Sequence, residues 1–143
     1  MLCDLTSGTN SVPGLGVLEP QGAAFSADGR LLAVCNALGS TTLFEFPSFH
    51  EVASMHGFLL GVHSVAFSPD AKRLAAGSNA KEALKLWDVN SRQELLTLEG
   101  QGSRLHATSF SPDGNALGSL SDQGQLQIWR APSWAEIEAA EKN

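Results

Sequence analysis

The sequence lacks two features that would mark a nucleic-acid-binding or membrane protein: a basic stripe and a long apolar run. It has nine Lys and Arg residues against fifteen Asp and Glu, a net charge of −6. Because the cations are scattered, they form no electrostatic footprint for a phosphate backbone. No apolar run approaches the roughly 18 residues that a membrane helix needs. The sequence therefore predicts no nucleic-acid partner and no membrane partner.

Cysteine is also scarce. Cys3 and Cys35 belong to no CxxC pair and no Cys/His cluster, so we predict no metal site and no cofactor. Both residues are expected to be small apolar fillers in a reducing compartment. Asp4 lies where a secretory signal would carry positive charge ahead of an apolar stretch. We therefore expect a cytoplasmic chain without an export signal of its own.

What the sequence does contain is an internal repeat of 42–43 residues, visible in four series that keep one register. Such a period predicts a repeat architecture, because each repeat is one small structural unit that packs on its neighbours. The four series are Phe25, Phe67 and Phe110; Phe44, Trp87 and Trp129; Ser48, Ser91 and Ser133; and Glu51, Glu94 and Glu136.

Each unit divides into four short strands bounded by turn-forming residues. In the middle unit we predict strands at His63–Ser68, Arg73–Gly77, Leu84–Val89 and Glu94–Leu98. The outer units have Gly29 and Gly114 in the turn after the first strand, where a tight hairpin demands a positive φ. Ala71 takes this position in the middle unit, so we expect backbone strain there or a different turn.

These segments resemble the WD repeat, which has four strands in about 40–45 residues. The resemblance rests on Val-Ala-Phe-Ser-Pro-Asp at 65–70 and Leu-Lys-Leu-Trp-Asp at 84–88, and it extends over nearly the whole chain. The third unit matches at 110–114 and 126–129, whereas the first has Phe44-Glu45 where Trp-Asp is usual. The resemblance implies an all-β fold, a partial β-propeller of four-stranded antiparallel blades with repeats of bacterial type.

The register predicts one domain, 1–143, with three complete blades at 21–56, 57–99 and 100–143. Residues 1–20 are expected to form an outer half-blade and its connection, with Cys3 at a Trp position. The register also makes Trp134–Ala139 the outermost strand of the last blade. A local pattern favours a short helix instead, since Ser133 and Glu136 form a capping box.

Three and a half blades are too few to close a ring, because propellers usually have four to eight. The end faces of such an open array would expose apolar surface to water. We expect the chain to be a C-terminal fragment of a larger propeller, or one subunit of a ring built from further copies of itself.

The hydrogen-bonded network typical of the resembled family is missing. Phe58 and Gln101 take the place of its His, and Lys81 and Gln123 take the place of its turn Asp. The blades are therefore expected to depend on apolar packing.

The candidate partner-binding residues are His63, His106, Arg104 and Phe58. His63 and His106 share one repeat position at the first strand, and Arg104 and Phe58 lie in the loops between blades. The resemblance puts this end near the channel mouth, where many propellers bind peptides; ordinary solvated polar residues are the plainer explanation. Asp28, Asp70 and Asp113 are expected to cap their own turns.

No nucleophile elbow, zinc motif or phosphate loop occurs in the sequence. We therefore predict a non-catalytic scaffold for a protein or peptide partner. Two alternatives stay open. One is a propeller-type enzyme with its site at the channel mouth. The other is a regulatory remnant of a propeller linked to a protein kinase, as in large bacterial regulators, without independent function.

Overall fold

The computed structural model describes residues 2–3, 5–8, 10–11, 14–79, 81–132 and 139–140. Its strands form one two-stranded, two four-stranded and one three-stranded antiparallel sheet. In chain order the strands are β1 (Leu2–Cys3), β2 (Asn10–Ser11), β3 (Pro20–Phe25), β4 (Leu31–Asn36), β5 (Ser40–Glu45), β6 (Glu51–His56), β7 (Val62–Phe67), β8 (Arg73–Ser78), β9 (Glu82–Asp88), β10 (Glu94–Glu99), β11 (Leu105–Phe110), β12 (Ala116–Ser121) and β13 (Leu126–Arg130).

Three of these sheets are the predicted blades, and we name them blade 1 (β3–β6), blade 2 (β7–β10) and blade 3 (β11–β13). Strands within a blade pair in sequence order. The first strand of blade 2, β7, packs against β3 of blade 1 and against β11 of blade 3. The first strands therefore form the inner edge of the array, as the partial propeller requires. The four strands predicted for blade 2 are confirmed with shifts of one or two residues at their ends.

The β1–β2 hairpin lies in the segment where the N-terminal half-blade is predicted. Cys3 pairs with Asn10, and the equivalent pair in blade 2 is Trp87 with Glu94. The hairpin thus has the register of the two outer strands of a blade, because the repeat places Cys3 at the Trp position.

Blade 3 has three strands in the described part of the chain. The fourth strand, predicted at 134–139, falls mainly on residues 133–138, which lie outside that part. Ala139 and Ala140 are described, and both are helical. The strand prediction is therefore wrong at Ala139, where the competing expectation of a short helix agrees with the structure.

The turn after the first strand has the same hydrogen bonds in all three blades. A backbone N–H donates to the serine carbonyl three residues earlier, over 2.9 Å in each case. The donors have positive φ: Gly29 at 70°, Ala71 at 58° and Gly114 at 73°. The strain expected at Ala71 is confirmed, because an L-residue is held in the left-handed region that glycine occupies in the other blades.

Apolar side chains fill the space between neighbouring blades. Met55, Leu74 and Trp87 belong to the cluster between blades 1 and 2, and Leu84 and Leu117 to the cluster between blades 2 and 3. Each blade alternates its side chains between two faces, so the middle blade contributes to both clusters.

Hydroxyl groups add a polar link between blades 2 and 3. Ser64 Oγ donates to the Leu105 carbonyl over 3.0 Å and lies 2.7 Å from Thr108 Oγ1. Thr108 Oγ1 is in turn 3.1 Å from Ser119 Oγ. Blades 2 and 3 therefore pack through an apolar cluster, as expected, and buried hydroxyls pair across the same interface in addition.

Candidate functional site

The three first strands carry a β-bulge at the same repeat position. In each strand the residue pairing skips one position near the start, at Gln21 in blade 1, His63 in blade 2 and His106 in blade 3. A bulge leaves its extra residue out of the ladder and redirects the side chain. Three equivalent bulges therefore place one glutamine and two histidines side by side at the start of the inner strands.

Arg104 connects the two ends of this row. Its guanidinium Nη2 donates to Gln21 Oε1 over 2.8 Å, although the arginine precedes blade 3 and the glutamine lies in blade 1. The Arg104 carbonyl accepts from the Asp122 backbone N–H at 3.0 Å, which anchors the loop. The side chain thus spans blade 2 and brings a positive charge to the end of the array where the inner strands β3, β7 and β11 begin. We call this end the mouth of the array.

His63 lies between these residues in a partly desolvated position. Both of its ring nitrogens are buried and have no hydrogen-bond partner in the described part of the chain. Burial lowers the pKa of His63 below its ordinary value of 6.5, and the nearby charge of Arg104 lowers that pKa further. The ring is therefore neutral at pH 7, with one donor and one acceptor nitrogen.

The other two predicted residues have different settings. His106 is exposed at its bulge, in the row with His63. Phe58 is partly buried against the cluster between blades 1 and 2, and Lys85 Nζ lies 5.6 Å from its ring centroid. The structure thus groups His63, His106 and Arg104 at the mouth, together with Gln21, which sequence reasoning missed. Equivalence to the two histidines in the repeat could have identified Gln21.

A buried lysine was also missed. Lys85 lies on β9 with 6% of its side chain exposed and forms ion pairs with Glu82 at 3.4 Å and Glu94 at 3.1 Å. Its Nζ also donates to Thr97 Oγ1 over 2.8 Å. A hydrogen bond from Thr97, followed by Lys85, lowers the pKa of Glu94. Since both of its carboxylate partners lie in blade 2, we assign this cation to the structure of the blade.

The turn aspartates cap their own turns. Asp28, Asp70 and Asp113 each accept from the serine hydroxyl two residues earlier and from the backbone N–H two residues later, at 3.0–3.1 Å. The serine hydrogen bond is the main cause that lowers the pKa of each carboxyl group. These bonds agree with the structural role predicted for the three residues.

Cys35 is fully buried as a free thiol, and desolvation raises its pKa to about 11. Such a thiol is protonated and packs as a small apolar side chain, as predicted. Across the described ranges, no group of three or more His, Cys, Asp or Glu residues comes together in a way that could hold a metal ion. In the same ranges no helix has the length and apolar character of a membrane span.

Comparison with known proteins gives one family match. Residues 50–88 match the family described as "WD domain, G-beta repeat", a segment that runs from the outer strand of blade 1 through the first three strands of blade 2. No curated protein is significantly similar to the chain. The match falls on the unit whose turn and Trp-Asp motifs resemble the family most closely.

Proposed function

We propose that this chain, whose residues 50–88 match the WD-repeat family, is a non-catalytic scaffold that holds a protein or peptide segment at the mouth of its inner strands. WD repeats generally act in protein interaction, and functional residues collect in loops that a rigid scaffold positions. The observation that carries the proposal is the row of bulged side chains Gln21, His63 and His106, crossed by Arg104.

The chemistry of the row favours a carboxylate on the partner, from an acidic side chain or a C-terminus. Arg104 offers a planar set of donors that suits a carboxylate, and it uses Nη2 on Gln21. His63 is neutral, so its buried ring nitrogens add a donor and an acceptor without a second desolvated charge. A carboxylate at this mouth would accept from the His63 ring N–H, whose desolvation is otherwise uncompensated.

Peptide selection tests the proposal directly. A displayed peptide library is selected on the wild-type chain, and dissociation constants of the recovered peptides are then measured for Arg104→Ala and for Arg30→Ala. Arg30 follows the turn after the first strand, at the other end of blade 1, and so serves as a matched control. We expect acidic peptides that bind Arg104→Ala at least about 10-fold more weakly, because charged hydrogen bonds contribute about 1.5–3 kcal/mol each.

A result against the proposal would be selected peptides that bind Arg104→Ala and His63→Ala as tightly as the wild type. The alternative function, a propeller-type enzyme, requires titratable side chains that converge on a substrate. The histidines described at the mouth are one partly buried, neutral ring and one exposed ring. We also predict that the chain is part of a longer propeller or one subunit of a ring of several copies. The molecular mass in solution tests the second prediction.

A further inference from the structure

The two ends of the blade array differ. At the blade 1 end, the apolar face of Leu32, Val34 and Phe44 is at most 9% exposed. Leu15 and Val17, from the segment ahead of blade 1, pack against it. At the other end, Leu126 and Ile128 are each 65% exposed and Leu120 is 38% exposed. The described chain thus covers its first end face and leaves its last one open.

Internal equivalence shows that this open face is of the type that blades bury. Leu126 has the repeat position of Leu84, which is fully buried in the cluster between blades 2 and 3. The cross-strand rows of the open face are Ala107–Leu120–Leu126 and Ser109–Gly118–Ile128. None of these six residues is charged. The opposite face of blade 3 carries Phe110, Leu117 and Trp129 and packs toward blade 2.

The open face is also graded in side-chain size across its three strands. The inner strand β11 contributes Ala107 and Ser109, whereas the outer strand β13 contributes Leu126 and Ile128. A two-fold axis that lies between the two faces and runs parallel to the middle strand β12 would place the large half of one copy over the small half of another. A surface with this gradation complements itself, which a two-fold interface requires because both copies use the same patch.

We propose that the open face of blade 3, formed by these two rows, docks the same face of a second copy of this chain around a two-fold axis. A head-to-tail ring is disfavoured because Leu15 and Val17 already cover most of the face that would receive blade 3. A two-fold contact is complete with two copies, so it buries the exposed Leu126 and Ile128 without the association of further copies. The proposal does not depend on the mouth site, which lies at the start of the inner strands.

Light scattering on the eluting full-length protein gives the mass, and we expect a dimer. Ile128→Glu should weaken dimerisation at least about 30-fold, because it would bury an unpaired charge in the interface. Ser109→Arg, on the small half, should act in the same way. Leu59→Glu is the matched control, because Leu59 is 94% exposed in the loop between blades 1 and 2 and should leave the dimer intact. Circular dichroism verifies that each variant is folded.

Cross-linking tests the two-fold axis directly. This test stays valid if a charged variant fails to fold, because it does not use those variants. An added Cβ at Gly118 meets no atom closer than the Ser109 carbonyl oxygen at 4.0 Å. Gly118→Cys in a Cys3→Ser background should therefore fold and form a disulfide-linked dimer on mild oxidation, whereas Leu59→Cys should not. A monomeric wild type, an assembly larger than a dimer, or a dimer unaffected by both Ile128→Glu and Ser109→Arg would overturn the proposal.

Discussion

Ala71 offers the sharpest test of the repeat, because the other two blades show what its position requires. Its φ of 58° matches the 70° and 73° of the equivalent glycines Gly29 and Gly114. A left-handed conformation costs an L-residue about 1–2 kcal/mol, and Ala71→Gly removes that cost. Glycine also gains about 0.4–1 kcal/mol of freedom in the unfolded chain. We therefore expect a net stabilisation of about 0.5–1 kcal/mol.

The assay is equilibrium unfolding in urea with parallel thermal melts, at one fixed protein concentration. For 143 residues, an unfolding entropy of about 2.1 cal/mol/K per residue converts 1 kcal/mol into about 3 °C. Ala71→Gly should therefore raise Tm by about 2–3 °C. Gly29→Ala is the reverse control, since an added Cβ at Gly29 meets no atom within 4 Å and only the backbone cost remains. A lower Tm for Ala71→Gly, or an unchanged Tm for Gly29→Ala, would refute the reasoning.

Three further outcomes are expected from the packing and titration of the blades. Ser64→Ala should lower the free energy of unfolding in urea by about 1–2 kcal/mol, since it leaves the Leu105 carbonyl without the Ser64 hydroxyl as its donor. A change near zero would show that this hydrogen bond between blades 2 and 3 does not stabilise the chain. Gly100→Ala should cost about 1–3 kcal/mol, because its Cβ would lie 2.3 Å from that of Ala83. Gly118→Ala, with open space around it, should cost less than Gly100→Ala. His63 has a lowered pKa, so below its ordinary value of 6.5 the unfolded state binds a proton that the folded state resists, and stability falls as pH drops. His63→Asn should abolish that slope in unfolding curves from pH 7 to 5. The loss expected below about pH 4, where the turn carboxylates Asp28, Asp70 and Asp113 become protonated, should persist in the variant.

Local chemistry accounts for the parts of the fold that were predicted correctly. The strands of blade 2 follow from turn residues and short apolar segments, and both signals lie within a few residues of the structure they specify. Ala71 illustrates this well, because the Ser-x-Asp turn around it demands a positive φ that the glycines of the other blades identify. The β1–β2 hairpin was predicted in the same way, by placing Cys3 in the register of Trp87.

Contacts between different strands account for most of what sequence reasoning missed. Ser64 and Thr108 are ordinary strand hydroxyls in the sequence, and only the packing of β7 on β11 brings them within 2.7 Å. The ion pair of Lys85 with Glu94 and its hydrogen bond to Thr97 were missed because both partners lie on the neighbouring strand β10. At 133–138 two patterns of similar strength compete, and the helical Ala139 follows the local one.

The sequence by itself determined the period, the strands and the turns of this protein, because each depends on interactions between residues close in the chain. Only the tertiary structure decided which side chains meet at the mouth, where Arg104 bonds a glutamine 83 residues earlier. It also decided which end face is covered. The physical reason is that both features depend on contacts between different segments of the folded chain, which no short stretch of sequence encodes.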